Sequence, residues 1–226
     1  MMPILYSFRR CPYAIRARYT LALLDCVVSL REVDLKSKPM ALTSLGGRAT
    51  VPQMLDEQGK RYPESLDIMF WALKQTDKKE LIESLWPSSS VKQAKVSTWI
   101  SYNDNRFKHW LDRYKYADRY PDGTEFDYRQ RAEVFIKRLN KRLNQRKYLL
   151  GDDMSLADIA IFPFIRQFSN VNKDWFENSE YDSLKLWLDC FVSDEFFTEV
   201  IMKKLASWQN GQLDILFPFC QEGKFD

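Results

Sequence analysis

The sequence predicts two domains of different class, a small mixed α/β domain followed by a larger all-helical bundle. Three observations support this prediction. Short β-like runs alternate with helical runs over residues 1–75, a polar stretch over residues 76–90 ends in a proline and three serines, and apolar residues recur at helical spacing over residues 91–226. A length of 226 residues with 45% apolar side chains is enough for packed cores.

The N-terminal elements are predicted in the order βαβ, a short helix or loop, ββ and α. The run ILYSF predicts a first strand, a helix follows from Cys11 to about Asp25, and VVSLREVD predicts a second strand. The segment VPQMLDEQGKRY predicts two short strands around a turn at Gln58 and Gly59, and SLDIMFWALKQ predicts a further helix.

Beyond residues 76–90, which we interpret as a linker, the apolar pattern is that of packed helices. The positions with helical spacing form two stripes: Val96, Trp99, Ile100 and Asn103, then Ala132, Phe135, Ile136, Leu139 and Leu143. In MSLADIAIF, Ser155 and Asp158 have the spacing of a capping box ahead of a strongly apolar helix. The second domain is therefore predicted to be a helical bundle.

Composition and charge exclude several classes of function. Lys plus Arg at 34 against Asp plus Glu at 31 leaves a net charge of +3, too balanced to indicate nucleic acid or an acidic membrane as partner. We expect no signal peptide and no membrane span, and four scattered cysteines favour a reducing compartment, the cytoplasm. Since His109 is the only histidine, neither a His-based triad nor a His-rich metal site is expected.

The segment RRCPYAIRAR contains the candidate nucleophile, Cys11. At the start of a helix its sulfur would lie near unpaired backbone N–H groups and the positive end of the helix dipole, which favour thiolate over thiol. Pro12 fits the first helical turn, and Arg9 or Arg10 would favour the thiolate further if a guanidinium lies close to the sulfur. The alternative is a small buried cysteine without reactivity, which is common for free cysteines.

Ala14 stands where a Cys-x-x-Cys redox motif would carry its second cysteine. Cys26 lies about four helical turns beyond Cys11, too far for disulfide geometry. Any disulfide on Cys11 is therefore expected to form with another molecule and to be released by another thiol.

The motifs CPYAIRAR, LKSKP, TVPQM and PESLDI, in this order, resemble those of the glutathione transferases, and most closely the cysteine-bearing, omega-like class with its bacterial members. The resemblance implies a thioredoxin-like, glutathione-binding domain over residues 1–75 and a C-terminal helical domain over residues 91–226. It also implies a homodimer that uses glutathione as cosubstrate without a metal.

The resemblance implies roles for two residue pairs. Val51 and Pro52 match a Val-Pro pair in which the proline follows a cis peptide bond and the valine backbone pairs with the cysteinyl part of glutathione. Glu64 and Ser65 match an acidic-Ser pair at a helix start, where Ser65 would hold the γ-glutamyl carboxylate and Glu64 would meet the ammonium group. Without the resemblance, Pro52 would be an ordinary strand boundary and PES a helix cap.

Two further residues are assigned to the glutathione site by the same resemblance. Lys38 falls where omega-like members place a lysine against the glycyl carboxylate, and a surface lysine is the alternative. Tyr13 replaces a phenylalanine common in the omega-like motif and would line the pocket beside the sulfur.

The identity of the catalytic group decides which reaction is expected. A nucleophilic Cys11 favours disulfide exchange, as in a thiol transferase or a dehydroascorbate reductase. A hydroxyl donor, Ser7 or Tyr6, would instead favour conjugation of glutathione to electrophiles. The partner is then glutathione with a small disulfide or an electrophile, and a third alternative is a regulatory scaffold that keeps the fold without catalysis.

Overall fold

The computed structural model describes residues 2–219, so Met1 and residues 220–226, with Cys220, lie outside the described part. The chain forms two compact units, one running up to Lys78 and resuming at Glu195, the other spanning Lys79–Asp194. The strands are β1 (Ile4–Ser7), β2 (Val28–Glu32), β3 (Gln53–Leu55), β4 (Arg61–Tyr62) and β5 (Ile215–Phe217). The helices are α1 (Pro12–Leu23), α2 (Met40–Thr43), α3 (Ser65–Ala72), α4 (Lys79–Leu85), α5 (Ser90–Tyr102), α6 (Lys108–Lys115), α7 (Glu125–Leu143), α8 (Leu156–Ser169), α9 (Lys173–Glu177) and α10 (Asp182–Val192).

The first unit is built on a mixed five-stranded sheet with the strand order β4-β3-β1-β2-β5. The central strand β1 runs parallel to β2 and antiparallel to β3, and Leu5 lies opposite both Leu30 and Met54. A turn with Gly59 at a φ of 81° joins β3 to β4, as the QG signal predicts. The predicted order βαβ-ββα and the thioredoxin-like fold are confirmed.

Helix α1 is buried on nearly all sides and packs against α3. Its burial includes two arginines, Arg16 and Arg18, each only 2% exposed. Charged side chains are almost never buried without partners. Both arginines therefore require polar partners within the first unit.

The prediction of an all-helical domain extending to residue 226 is wrong near its end. Strand β5 returns to the first unit and pairs antiparallel with β2, with Val28 opposite Phe217. The pairing satisfies backbone groups that an edge strand would expose, and Arg31 makes a bidentate ion pair with Asp214, at 2.6 and 3.0 Å. A three-residue strand carries too short a pattern to be distinguished from a loop in the sequence.

The linker predicted over residues 76–90 contains a helix. Helix α4 begins at Lys79, and its Leu85 is fully buried, so this stretch contributes to the core of the second unit. Only the residues around Pro87 separate it from α5. Leu81, Ile82 and Leu85 have helical spacing within KELIESL, although most residues of the 76–90 stretch are polar.

The second unit is the predicted helical bundle. A π-helical turn, Asn103–Phe107, joins α5 to α6, and the two predicted apolar stripes contribute most of their residues to the core. Phe135 of α7 packs its ring against those of Trp99, Tyr102 and Phe107. In residues 2–219 no helix combines the length and the apolar character needed to cross a membrane.

The predicted capping box of α8 is confirmed and fully buried. One oxygen of Asp158 accepts hydrogen bonds from the backbone N–H and hydroxyl of Ser155, at 2.9 and 2.6 Å. The other accepts from the Leu149 N–H at 2.9 Å and the Trp187 indole N–H at 3.0 Å. An exposed capping box of the same spacing, Thr124 with Asp127, begins α7.

We expect Asp158→Ala to lower the free energy of unfolding by about 3 kcal/mol, because it leaves buried donors of Leu149 and Trp187 without an acceptor. Asp127→Ala is the matched control, since water replaces the lost acceptor there, and its loss should be clearly smaller. Urea denaturation followed by tryptophan fluorescence measures both. Equal losses would show that the buried contacts contribute nothing beyond ordinary capping.

Candidate active site

Cys11 lies at the N-terminal end of α1, as the sequence predicts. Its backbone is extended, with φ −74° and ψ 122°, and Pro12 begins the helix. The Cys11 N–H donates to the Phe8 carbonyl at 3.0 Å, which closes the turn between β1 and α1. The side chain is half-buried, and its sulfur lies 3.6 Å from the carbonyl oxygen of Val51.

Val51 and Pro52 precede β3 and are joined by a cis peptide bond, which confirms the predicted isomer. The Val51 side chain packs on the cluster formed by Tyr6, Val33 and Leu42. Its backbone N–H makes no hydrogen bond with any described residue. This N–H is therefore available to an extended peptide that approaches beside Cys11.

The start of α3 lies beside the second turn of α1. Glu64 is the N-cap residue but its exposed carboxylate caps no backbone N–H, so PES does not act as a side-chain cap. Ser65, the first helical residue, is buried, and its hydroxyl oxygen accepts a hydrogen bond from Arg16 Nε at 3.0 Å. A helix N-terminus with uncapped N–H groups and an adjacent cation suits a carboxylate.

Tyr13 and Lys38 are in different settings. The half-buried ring of Tyr13 lies under the Arg16 guanidinium, 5.0 Å from its carbon to the ring centroid. Lys38 is exposed in the loop before α2 and makes no ion pair with any residue in the described range. The structure therefore brings Cys11 together with Val51 and connects Ser65 to α1, and it leaves Lys38 exposed.

Arg18 was not among the site residues predicted from the sequence. Its Nη1 donates to the Ser7 hydroxyl at 2.9 Å, and its Nη2 donates to the Arg9 carbonyl at 2.8 Å. The Glu32 carboxylate lies 3.7 Å from Nη1. Burial lowers the pKa of Arg18 to about 10, although the charges of Glu32 and Cys11 act in the opposite direction. The sequence signal that could have identified Arg16 and Arg18 is their position within an otherwise apolar helical run, AIRARYTLALL.

The two hydroxyl candidates point to opposite faces of the sheet. Side chains alternate along a strand, and Ser7 faces α1, where it meets Arg18. Tyr6 is buried on the other face, where its hydroxyl accepts a hydrogen bond from Arg31 Nη1 at 2.7 Å. Of the two, Ser7 is the one that shares a face with α1.

The remaining described cysteines differ from Cys11 in environment. Cys26 follows the end of α1 and is buried, with its sulfur 3.6 Å from the Ala72 carbonyl oxygen. Burial raises the pKa of its thiol to about 11. Cys190 is exposed on α10. Within residues 2–219, no group of three His, Cys, Asp or Glu side chains is placed to hold a metal ion.

Comparison with known proteins matches two stretches of the chain to one family. Residues 5–80 match the glutathione S-transferase N-terminal domain, and residues 108–190 match the C-terminal domain. The chain belongs to the glutathione S-transferase superfamily. A probable glutathione S-transferase, MSR-1, of Nicotiana plumbaginifolia is 24% identical over 92% of this chain and 83% of its own. Membership of the omega-like class does not follow from these matches.

Solved structures of the superfamily share the fold at low sequence identity. An epsilon-class enzyme of Musca domestica has a TM-score of 0.72 at 20% identity, covering 87% of this chain and 90% of its own. A Pseudomonas fluorescens member solved with two glutathione molecules bound has a TM-score of 0.69 at 18% identity, covering 88% and 91%.

We expect brief alkylation of the native protein at pH 7.5 to label Cys11 and Cys190 and to spare Cys26. A thiol with a pKa of about 11 is almost wholly protonated at that pH, and Cys26 is also buried. Peptide mass spectrometry after iodoacetamide treatment measures this, with urea-unfolded protein as the control in which Cys26 reacts. Labelling of native Cys26 as fast as Cys11 would contradict the assignment.

Proposed function

We propose that this chain is a glutathione-dependent thiol transferase whose nucleophile is Cys11. The observation that supports it best is the position of the Cys11 sulfur, at the start of α1 and 3.6 Å from the Val51 carbonyl oxygen. Val51 is the residue whose backbone would pair with the cysteinyl part of glutathione. The nucleophile and the ligand sulfur would then meet at one place.

The residues around Cys11 fit the chemical groups of glutathione. The N–H of Val51 has no partner among the described residues and suits the cysteinyl backbone. Ser65, with the α3 N-terminus and Arg16 behind it, would hold the γ-glutamyl carboxylate. Glu64 would meet the ammonium group.

The glycyl end and the pocket wall involve less constrained side chains. Lys38 would approach the glycyl carboxylate, and its exposure leaves it able to reorient toward a ligand. Tyr13 would line the pocket beside the sulfur, with its ring held by Arg16.

The reaction proceeds by two thiol–disulfide exchanges. The Cys11 thiolate attacks the glutathione sulfur of a mixed disulfide, and the substrate thiolate leaves. A second glutathione thiolate then attacks the glutathione sulfur bound to Cys11, which releases oxidised glutathione and regenerates the Cys11 thiolate. Overall, the mixed disulfide and one free glutathione give the substrate thiol and oxidised glutathione.

We expect Cys11→Ala to lower thiol transferase activity by roughly 100-fold or more, because removing a nucleophile removes the covalent step. Cys190→Ala is the matched control and should keep wild-type activity, since Cys190 is an exposed thiol on α10. Turnover of a glutathione mixed disulfide measures both. If Cys11→Ala keeps full activity, the nucleophile has been misassigned. Conjugation of glutathione to a chlorinated aromatic that is lost in Ser7→Ala, without thiol transfer in the wild type, would instead support hydroxyl chemistry.

The regulatory scaffold is the second candidate, and one comparison favours it. A cytoplasmic glutamate–tRNA ligase of Arabidopsis thaliana is 20% identical over 82% of this chain, but the match covers only 22% of the ligase. Related sequence thus occurs as part of a larger protein with a different named activity. The contact between Cys11 and Val51, with the hydrogen bond from Arg16 of α1 to Ser65, supports the enzyme instead.

Glutathione affinity distinguishes the two candidates. We expect binding in the millimolar range or tighter by isothermal titration, and Ser65→Ala should weaken it about tenfold, because a hydrogen bond to a charged group is lost. Ser88→Ala, at an exposed serine bound to Glu83, is the control. Absence of binding at millimolar glutathione would favour the scaffold.

The homodimer and the cytoplasmic location also belong to this proposal. The resemblance to glutathione transferases supports the dimer, and the scattered cysteines support a reducing compartment.

A further inference from the structure

The loop that presents Cys11 is hydrogen-bonded to a buried side chain of α1, that of Arg18. Arg18 donates to the hydroxyl of Ser7, where the loop begins, and to the carbonyl of Arg9 in its middle. Both hydrogen bonds use the terminal nitrogens of a planar guanidinium, which fixes their relative direction. The start and the middle of the segment between β1 and Cys11 are thus attached to α1, the helix that follows Cys11.

The same loop is attached to β2 by Glu32. Its Oε1 accepts the Arg9 backbone N–H at 2.7 Å, while its Oε2 lies 3.7 Å from Arg18 Nη1. Glu32 is also buried. Arg9 therefore has both backbone groups bound by one buried ion pair.

The charge of Arg18 is placed where it acts on Cys11. The guanidinium is 2% exposed, so water screens it little, and its Nε makes no hydrogen bond within the described chain. The thiolate of Cys11 is among the charges that stabilise the protonated guanidinium, and this interaction is mutual. Arg9 and Arg10 are directed elsewhere, the first to the Met202 carbonyl and the second over the Phe8 ring.

Other titratable groups near α1 are more exposed or differently engaged. Arg16 on the same helix is bound to Ser65. Two described elements pack on α1, namely α3 and a π-helical turn, Phe196–Ile201, and their acidic residues Asp67 and Glu199 are exposed, as are the preceding residues Glu64 and Glu195. Arg18 and Glu32 are therefore the charged pair that the interior holds behind Cys11.

We propose that Arg18 is a positioning residue for Cys11, which holds the loop over residues 7–11 by two hydrogen bonds and favours the thiolate by its buried charge. Glu32 opposes part of that charge and orients the guanidinium. This inference rests on the proposed use of Cys11 as nucleophile.

The test is the pH dependence of Cys11 alkylation by iodoacetamide, followed by peptide mass spectrometry in the full-length protein. At pH 6.5 the rate should fall roughly tenfold in Arg18→Met, which corresponds to one unit in the pKa of Cys11. Arg18→Lys keeps the charge but loses the paired donors, and its rate should fall about threefold. Glu32→Gln should raise the rate, because it removes the opposing charge while its amide oxygen still accepts the Arg9 N–H.

Arg31→Met is the control, because it removes a half-buried arginine of the same unit that contacts Tyr6 and Asp214 instead of the Cys11 loop. Its Cys11 profile should match the wild type. A folded Arg18→Met with an unchanged profile overturns the inference. If Arg18→Met does not fold by circular dichroism, unchanged rates in both Arg18→Lys and Glu32→Gln overturn it, because a merely structural role predicts no opposite shifts.

Failure of the proposed function gives a different result. Wild-type protein that lacks thiol transfer while Arg18 still controls the Cys11 profile contradicts the proposed function and supports the inference. Normal thiol transfer, with a pH dependence of Cys11 alkylation that does not change in the Arg18 variants, supports the proposed function and contradicts the inference.

Discussion

Two buried guanidinium groups, those of Arg16 and Arg18, determine how the segments around them pack in the first unit. A buried cation is tolerated only where hydrogen bonds and a counter-charge replace water, and removing one partner is strongly destabilising. Arg18 finds its partners in Ser7, the Arg9 carbonyl and Glu32, and Arg16 finds one in Ser65. These partners belong to β1, the loop that presents Cys11, β2 and α3. The packing of α1 and the geometry of the candidate site are therefore consequences of the same contacts.

On the opposite face of the sheet, the C-terminal segment provides the partners of a third arginine, Arg31. Arg31 pairs with Asp214, donates to the Tyr6 hydroxyl and lies over the Trp208 ring, 4.1 Å from its centroid. The Trp208 N–H also donates to the Glu32 carbonyl at 2.7 Å, so the segment is attached beside β2 before β5 begins. The Tyr6 hydroxyl therefore contributes to the attachment of this segment through its hydrogen bond with Arg31. The alternation of side chains along β1 separates a face that carries the candidate chemistry from a face that completes the sheet.

The sequence predicted those features that depend on local pattern. The βαβ-ββα order and the capping box at Ser155 each follow from a few neighbouring residues, whereas the cis bond before Pro52 was expected only from the resemblance to glutathione transferases. The ion pair between Arg18 and Glu32 could not be predicted from local pattern. Glu32 is fourteen positions away in the sequence, and the parallel pairing of β1 with β2 brings it near Arg18. The return of β5 was missed for the same reason, since pairing between Val28 and Phe217 leaves no trace in either short run. The capping box at Thr124 is not among the predicted features, although its T-x-x-D spacing is a local signal.

A comparison of two cysteines in the first unit shows how strongly environment decides chemistry. Cys26 lies past the end of α1, against carbonyl oxygens and away from solvent, so its thiol keeps its proton far above neutral pH. Cys11 lies at the other end of the same helix, half-buried, with the uncapped N-terminus above it and a buried cation behind it. A helix of twelve residues is about 18 Å long, which excludes a disulfide between them. No other described cysteine of the first unit lies within disulfide distance of Cys11. Under the proposed function, a disulfide on Cys11 is therefore resolved by glutathione.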